Sequence, residues 1–455
     1  MNDFWIRNAT LVSPTGRRNA DIRVIDESIA EVADRGNAPA GVDDHVDATG
    51  LWLLPGGVDV HTHFGMPLRR GLASRGWLES STAALLGGTT TVVDFANPDR
   101  DEPIPDAVAR WQAAASQECL CDYALHATVS AVDDERLAEL AELIEGGIPT
   151  FKGFLAYKGR LMLEPEELRL LMTRVHQLKG RLLLHAEDGE LNARCEEELR
   201  QAGRTEPRHH PLAHPAESEI AATATALDLA RATGCPLTIV HLSTAGSLAL
   251  IDAARTDGVD VNAEVCIQHL FRTDAWYERG IDEALNAVMS PPLRSDADAE
   301  ALRTAVADGR LDWLATDHCE FPLEIKRSAA VDGFPAVPNG AAGVGERLIV
   351  AFTLGVESGL ISPERWVDLC CEAPAAAMGL GHCKGRIAPG MDADLVLFDP
   401  RASDTHLPVH GTHSLWTGSE WQGAVRHVWV RGHQVVESGQ LDPEAPTGRF
   451  IRRFF

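Results

Sequence analysis

Eight short apolar runs, separated by stretches of helical periodicity, restrict this chain to a narrow choice of folds. They lie at Gly57 to Thr62, Thr89 to Phe95, Tyr123 to Val129, Thr150 to Leu155, Arg181 to His185, Pro236 to His241, Val259 to Val265 and Leu311 to Thr316. Between them apolar residues recur three or four apart, as in RLAELAELI after Asp134 and ESEIAATATALDLARAT before Gly234. Strands that are apolar on both faces need helices on both sides, which implies a parallel sheet. Eight such units predict that the sheet closes into a (β/α)8 barrel. An open, doubly wound sheet would carry a glycine-rich phosphate loop after its first strand, and none is present.

The two ends of the chain follow a different pattern. FWIRNATLV and DIRVIDESIAEV near the start, and GRIAPGMDADLVLFDP (Gly385 to Pro400) and AVRHVWVRGHQVVESG (Ala424 to Gly439) near the finish, alternate in polarity and are broken by turn residues. We expect them to pair into a small β-sandwich domain of residues 1–53 and 385–455, beside a barrel of residues 54–384. At 455 residues the chain is long enough to need more than one core.

The formal charge of -26 repels phosphate backbones and anionic lipid, so nucleic acid and membrane are not expected partners. Asp3, Arg7, Arg17 and Arg18 interrupt any secretory leader, and no apolar run reaches the ~18 residues a bilayer span requires. A cytoplasmic protein with mostly reduced thiols is the expectation, since the nine cysteines form no C-x-x-C pair.

Barrels of this kind carry their chemistry where strands end. The first run leads through Gly56 and Gly57 into His61 and His63, which are two apart and so leave a strand on one face. Two imidazoles on rigid backbone make half of a metal site. The fourth run carries Lys152, the fifth ends at His185, the sixth at His241 and the eighth at Asp317. A single such residue would be an ordinary core side chain; several converging on one mouth point to a metal centre. Lys152 is the odd member, because an ammonium repels cations and is costly to bury between Phe151 and Phe154.

GGVDVHTH, AALLGGTTTVVDF, FKGFLAYKG, LLLHAEDG, VHLSTAGS, MSPPLR (Met289 to Arg294), ATDHCEF and VPNGAAGVGERL (Val337 to Leu348) together resemble the amidohydrolase superfamily. Within it the likeness is to the cyclic amidohydrolases, dihydropyrimidinase and hydantoinase, over nearly the whole chain. The resemblance implies a Lys152 carbamylated by carbon dioxide, which turns the cation into an anion that bridges two zinc ions. It implies one zinc on His61, His63 and Asp317 and the other on His185 and His241, with a hydroxide between. Asp317 would then serve as base and acid, and Tyr157 would donate to the developing oxyanion. Ser290 and Asn339 match positions whose backbone groups hold the cyclic imide. The implied reaction opens a C–N bond of a cyclic ureide to an N-carbamoyl amino acid, and a homo-oligomer, dimer or tetramer, is expected.

Other residues give weaker signals. His209, His210 and His214 in RHHPLAHP read as an ordinary loop, and a metal-bound hydroxide would make Cys319 redundant as a nucleophile. His126, Cys266, Gln268 and His269 are candidates for lining the pocket. Dihydroorotase, an alternative alongside allantoinase, has an arginine soon after the His-x-His pair. Here Phe64 to Leu68 contain none, and the next arginines are Arg69, Arg70 and Arg75. The proline and aromatic residue common after Cys266 in dihydropyrimidinases are also missing. Non-enzymatic scaffold relatives lose metal ligands, whereas all six positions are kept here.

Overall fold

A computed structural model of the chain describes residues 3–36, 45–68, 71–99, 101–403, 407 and 414–455. The barrel is present. Its eight parallel strands are Gly57–Thr62, Thr89–Ala96, Asp122–Thr128, Thr150–Phe154, Arg181–His185, Leu237–Ile239, Val261–Cys266 and Trp313–Ala315, each hydrogen-bonded to the next in sequence. The ring closes where Thr62 bridges His318, and the His63 N–H donates to the His318 carbonyl at 2.8 Å. That closure joins the first and last strands at the end where His61, His63 and Asp317 emerge.

The local chemistry explains the elements. Ala216–Thr233 is a helix whose carbonyl end is closed by Gly234 at φ 71°, a conformation that costs other residues about 1 kcal/mol. Gly56 precedes the first barrel strand because a Cβ there would lie 2.0 Å from Thr90 Oγ1. Val58, Val60, Val93, Ala124, Leu183, Val240 and Trp313 fill the barrel interior with Phe95 above them.

The terminal segments form a nine-stranded mixed sheet with its own core of Phe4, Ile6, Leu11, Ile22, Val24, Leu53, Leu395, Leu397 and Trp429. Along its hydrogen-bonded path the strand of Trp429 is three places from that of Phe4, about 14 Å in a flat sheet. Their rings nevertheless stack at 6.1 Å, so the sheet folds over its own core as the two layers of a sandwich do. Beyond Leu441 the chain crosses the barrel's N-terminal end: Ile451 N–H bonds to Tyr123 O at 2.8 Å, and the buried Arg453 donates to Thr150 Oγ1 at 2.6 Å. Among the described residues no helix is long and apolar enough to cross a membrane.

Candidate functional site

Backbone strain marks the mouth of the barrel. Tyr157, His241 and Asp317 adopt φ of 63°, 40° and 51°, and such positions cost of order 1–3 kcal/mol when nothing compensates. In each case the left-handed residue follows the end of a barrel strand and turns its side chain toward the axis.

Three candidate ligands already meet at one point. Asp317 Oδ1 lies 3.1 Å from His61 Nε2 and 3.0 Å from His63 Nε2, and one donor atom from each residue falls within 4.8 Å of the others. This His-His-Asp set is suited to a divalent ion of the zinc type. Next to it, His241 lies 5.4 Å from His61 between ring centroids and 4.5 Å from His185, so the four imidazoles form a continuous arc. The Nδ1 atoms of His63 and His241 are buried without a hydrogen-bond partner, a cost that a metal-binding role for these rings would justify. Lys152, 1 % exposed, points its amine at the rings of Phe95 and Phe154, at 5.1 and 5.2 Å.

The electrostatics keep most of these groups ready as ligands. Burial lowers the pKa of His63 and His185 and drives that of His241 far down, so all three are neutral. Burial also pulls on His61, but Glu264 and Asp317 outweigh it and push the ring up to about 9. Asp317 is held well below the ordinary carboxylate range, because His61 and His63 overcome the penalty of burial. Desolvation brings Lys152 down to about 8, against the opposing pull of Glu264 and Asp317.

Two buried carboxylates that the sequence reading passed over orient the candidate imidazoles. Glu264 accepts from His61 Nδ1 at 2.6 Å, and also from Trp313 Nε1 and the His241 N–H, each at 3.1 Å. Glu187 accepts from His185 Nε2 at 2.7 Å and from His214 Nδ1 at 3.0 Å. With those nitrogens engaged, His61 presents Nε2 and His185 presents Nδ1 to the centre. The sequence held a signal for both: Glu187 is two residues past His185, and Glu264 lies near the end of the seventh strand, between Ala263 and Val265.

The Tyr157 ring packs tilted against His185 at 5.2 Å, its hydroxyl pairs with Ser290, and Asn339 Nδ2 donates to Ser290 Oγ at 2.9 Å. Burial and Glu187 push the Tyr157 phenol upward, so it remains a proton donor.

Most of the remaining candidates are buried with partners of their own. His126 braces the interior, with Nε2 on Val60 O at 3.0 Å and Nδ1 on Thr150 Oγ1 at 2.6 Å. Gln268 donates to Thr316 O at 2.9 Å and His269 to Pro291 O at 3.1 Å. Cys266 and Cys319 are buried with thiols raised far above the usual range, so neither is a thiolate. RHHPLAHP is not a plain loop: Pro207–His209 and His210–Ala213 are helical turns, and His214 belongs to the Glu187 cluster. Arg69 and Arg70 lie outside the described residues, while Arg75 pairs with Glu320 at 2.8 Å.

A parallel eight-stranded barrel with His61, His63 and Asp317 converging at its mouth is a barrel whose mouth could hold a metal ion. The family model described as the amidohydrolase family matches residues 52–435, and the chain belongs to that family. It is 33 % identical to the D-hydantoinase of Ralstonia pickettii, with 99 % of each chain aligned. The crystal structure of dihydropyrimidinase from Brevibacillus agri NCHU1002 superimposes with a TM-score of 0.96 at 33 % identity, covering 99 % of this chain and 98 % of that one. An L-hydantoinase (dihydropyrimidinase) from Arthrobacter aurescens superimposes with a TM-score of 0.90 at 27 % identity, over 100 % of both chains.

Proposed function

We propose that the protein hydrolyses a cyclic ureide, dihydrouracil or a 5-substituted hydantoin, at a ring C–N bond to give the N-carbamoyl amino acid. The observation that carries this reading is the convergence of His61, His63 and Asp317 beside His185, His241 and Lys152, in a chain that aligns end to end with hydantoinases. We read one zinc site as His61, His63 and Asp317 and a second as His185 and His241, joined by Lys152 as its carbamate. Two divalent ions so held would acidify water and polarise the scissile carbonyl.

The protein's own groups supply the rest. Asp317 takes the proton that the nucleophilic water gives up and returns it to the leaving nitrogen, so one carboxylate acts first as base and then as acid. The Tyr157 hydroxyl donates to the oxygen on which charge develops, a bond that strengthens in the transition state. Backbone groups at Ser290 and Asn339 receive the imide edge of the ring. Phe95, against which His61 and His63 pack at 4.6 and 4.9 Å, keeps the floor of the site dry.

The Glu187 contact leads to a prediction about metal retention. Glu187→Gln removes the charge that accepts from His185 Nε2, and affinity for the second metal should fall about 10- to 100-fold. Titration against a competing chelator measures it; unchanged affinity would show that Glu187 does not orient His185.

Substrate class is tested with a panel of cyclic amides. We expect kcat/KM for dihydrouracil or a 5-substituted hydantoin to exceed that for dihydroorotate at least about tenfold, roughly 1.4 kcal/mol. No arginine stands between His63 and Leu68 to receive a ring carboxylate, and Arg75 is engaged by Glu320. Preference for dihydroorotate, or for allantoin over both, would overturn the assignment and leave a hydrolase of the same family.

A further inference from the structure

Lys326 takes no part in the chemistry above, yet it is 2 % exposed, and its ammonium is turned inward behind the mouth of the barrel. It sits in the helix Leu323–Ala330, directly after the segment that carries Asp317. Its Nζ donates to three main-chain carbonyls, those of Leu285 at 2.9 Å, Val288 at 3.3 Å and Gly340 at 2.6 Å. Two of these oxygens also accept a main-chain N–H, Leu285 O from Val288 at 3.2 Å and Val288 O from Gly340 at 3.0 Å. The first two lie just before Ser290, and the third immediately follows Asn339.

We propose that Lys326 is the positioning residue of the substrate platform, a buried three-way tie that fixes the Ser290 segment against the Asn339 segment and so sets where the ring's imide edge sits. This rests on the reading of Ser290 and Asn339 as the groups that receive that edge. Around the tie the two segments are joined twice more, by the Gly340 N–H to Val288 O at 3.0 Å and by Asn339 Nδ2 to Ser290 Oγ at 2.9 Å. The platform is also referenced to the catalytic carboxylate. Ala341 bridges His318 and accepts from the Cys319 N–H at 2.9 Å, and Gly340, at φ 147°, packs so closely that a Cβ would lie 2.3 Å from Cys319 O. The three carbonyls, the Ser290–Asn339 pair and Asp317 therefore form one connected body.

Burying an ammonium is expensive, and desolvation pulls Lys326 down to about 7 against the nearby Cys319 and Glu320. An apolar side chain of similar volume would fill the space without that cost but would take the donor from the Gly340 carbonyl and one of two donors from the Leu285 and Val288 carbonyls. What the lysine adds is convergence: three donors from one atom hold two loops at a fixed separation.

A positioning role separates from a merely structural one in the kinetics. The test compares Lys326→Met with the wild-type zinc-loaded enzyme, using dihydrouracil and 5-phenylhydantoin as probes, and Lys326→Gln if the Met variant does not fold. We expect KM to rise at least about tenfold with kcat within about threefold and metal content unchanged, because the loss falls on ring binding and not on the metal ligands. Hydrogen exchange of peptides spanning 286–290 and 339–341, which includes the Gly340 amide, should quicken in the same variant. Unchanged exchange in a folded variant would overturn the proposal, since Lys326 would then hold nothing. Faster exchange with unchanged KM would overturn it too, and would locate the fault in the reading of Ser290 and Asn339. Loss of kcat and of metal at unchanged KM would reassign Lys326 to support of the metal centre.

Discussion

Lys152→Ala is expected to retain the fold, lose the second metal, and lose turnover by on the order of 10³ or more, about 4 kcal/mol of transition-state stabilisation. The argument starts from the cost of the native side chain. A lysine 1 % exposed, facing two aromatic rings and surrounded by His61, His185 and His241, is poorly placed as a cation among cation ligands. Burial has already brought its pKa to about 8, so about a tenth is the neutral amine at pH 7, far more than for an ordinary lysine, and that is the form that attacks carbon dioxide. The carbamate forms as the amine nitrogen bonds to the carbon and releases one proton. At a fixed dissolved carbon dioxide concentration, metal reconstitution of the stripped protein should therefore quicken as pH rises from 6 toward 8. A short carboxylic acid added to Lys152→Ala should restore part of both metal and activity by placing a carboxylate where the carbamate would be. Lys152→Arg should not recover, because guanidinium stays charged and cannot ligate a cation. Full activity in the arginine variant, or reconstitution indifferent to carbon dioxide, would remove the bridge from the mechanism.

How far the sequence anticipated this site can be seen strand by strand. The runs Gly57 to Thr62 and Arg181 to His185 were legible to the residue, because hydrophobicity there ends where pairing ends. The sixth and eighth runs read too long: pairing covers only Leu237–Ile239 and Trp313–Ala315. Hydrophobic pattern registers burial, and the residues just past those strands are still buried, but the backbone has left the ladder to place His241 and Asp317 at positive φ. That departure aims the two candidate ligands, and no one-dimensional periodicity encodes it. The second layer was harder to see. Glu264 and Glu187 come from strands other than that of His61 or from beyond the strand of His185, and a buried carboxylate declares its purpose only when its partner across the barrel is known. Lys326 was invisible for a related reason: in sequence it is one of several charges on a short helix, and only packing turns it inward.

Asp317→Asn should lower kcat by about 10³ to 10⁴ while KM changes little, and the size of the loss should depend on the leaving nitrogen. Asparagine keeps an oxygen that can ligate and keeps the volume, so elemental analysis should still find metal on His61 and His63. What it cannot do is carry a proton from water to nitrogen. On the proposed mechanism that task falls to Asp317, which is fixed 3.1 and 3.0 Å from the two imidazoles and ionised because their pull exceeds the penalty of burial. Protonation of its carboxyl is therefore not expected to account for activity lost in moderate acid; on the proposed ligand set we expect that limb from His61, raised to about 9, whose proton would compete with a metal ion. A ring whose leaving nitrogen is a weak base needs little protonation to depart, whereas a dihydropyrimidine amide needs much. Rates of the asparagine variant should thus fall less on hydantoins bearing electron-withdrawing groups at the leaving nitrogen than on dihydrouracil. Equal loss across the series, with metal retained, would confine Asp317 to the role of ligand and move the proton shuttle to another group at the mouth.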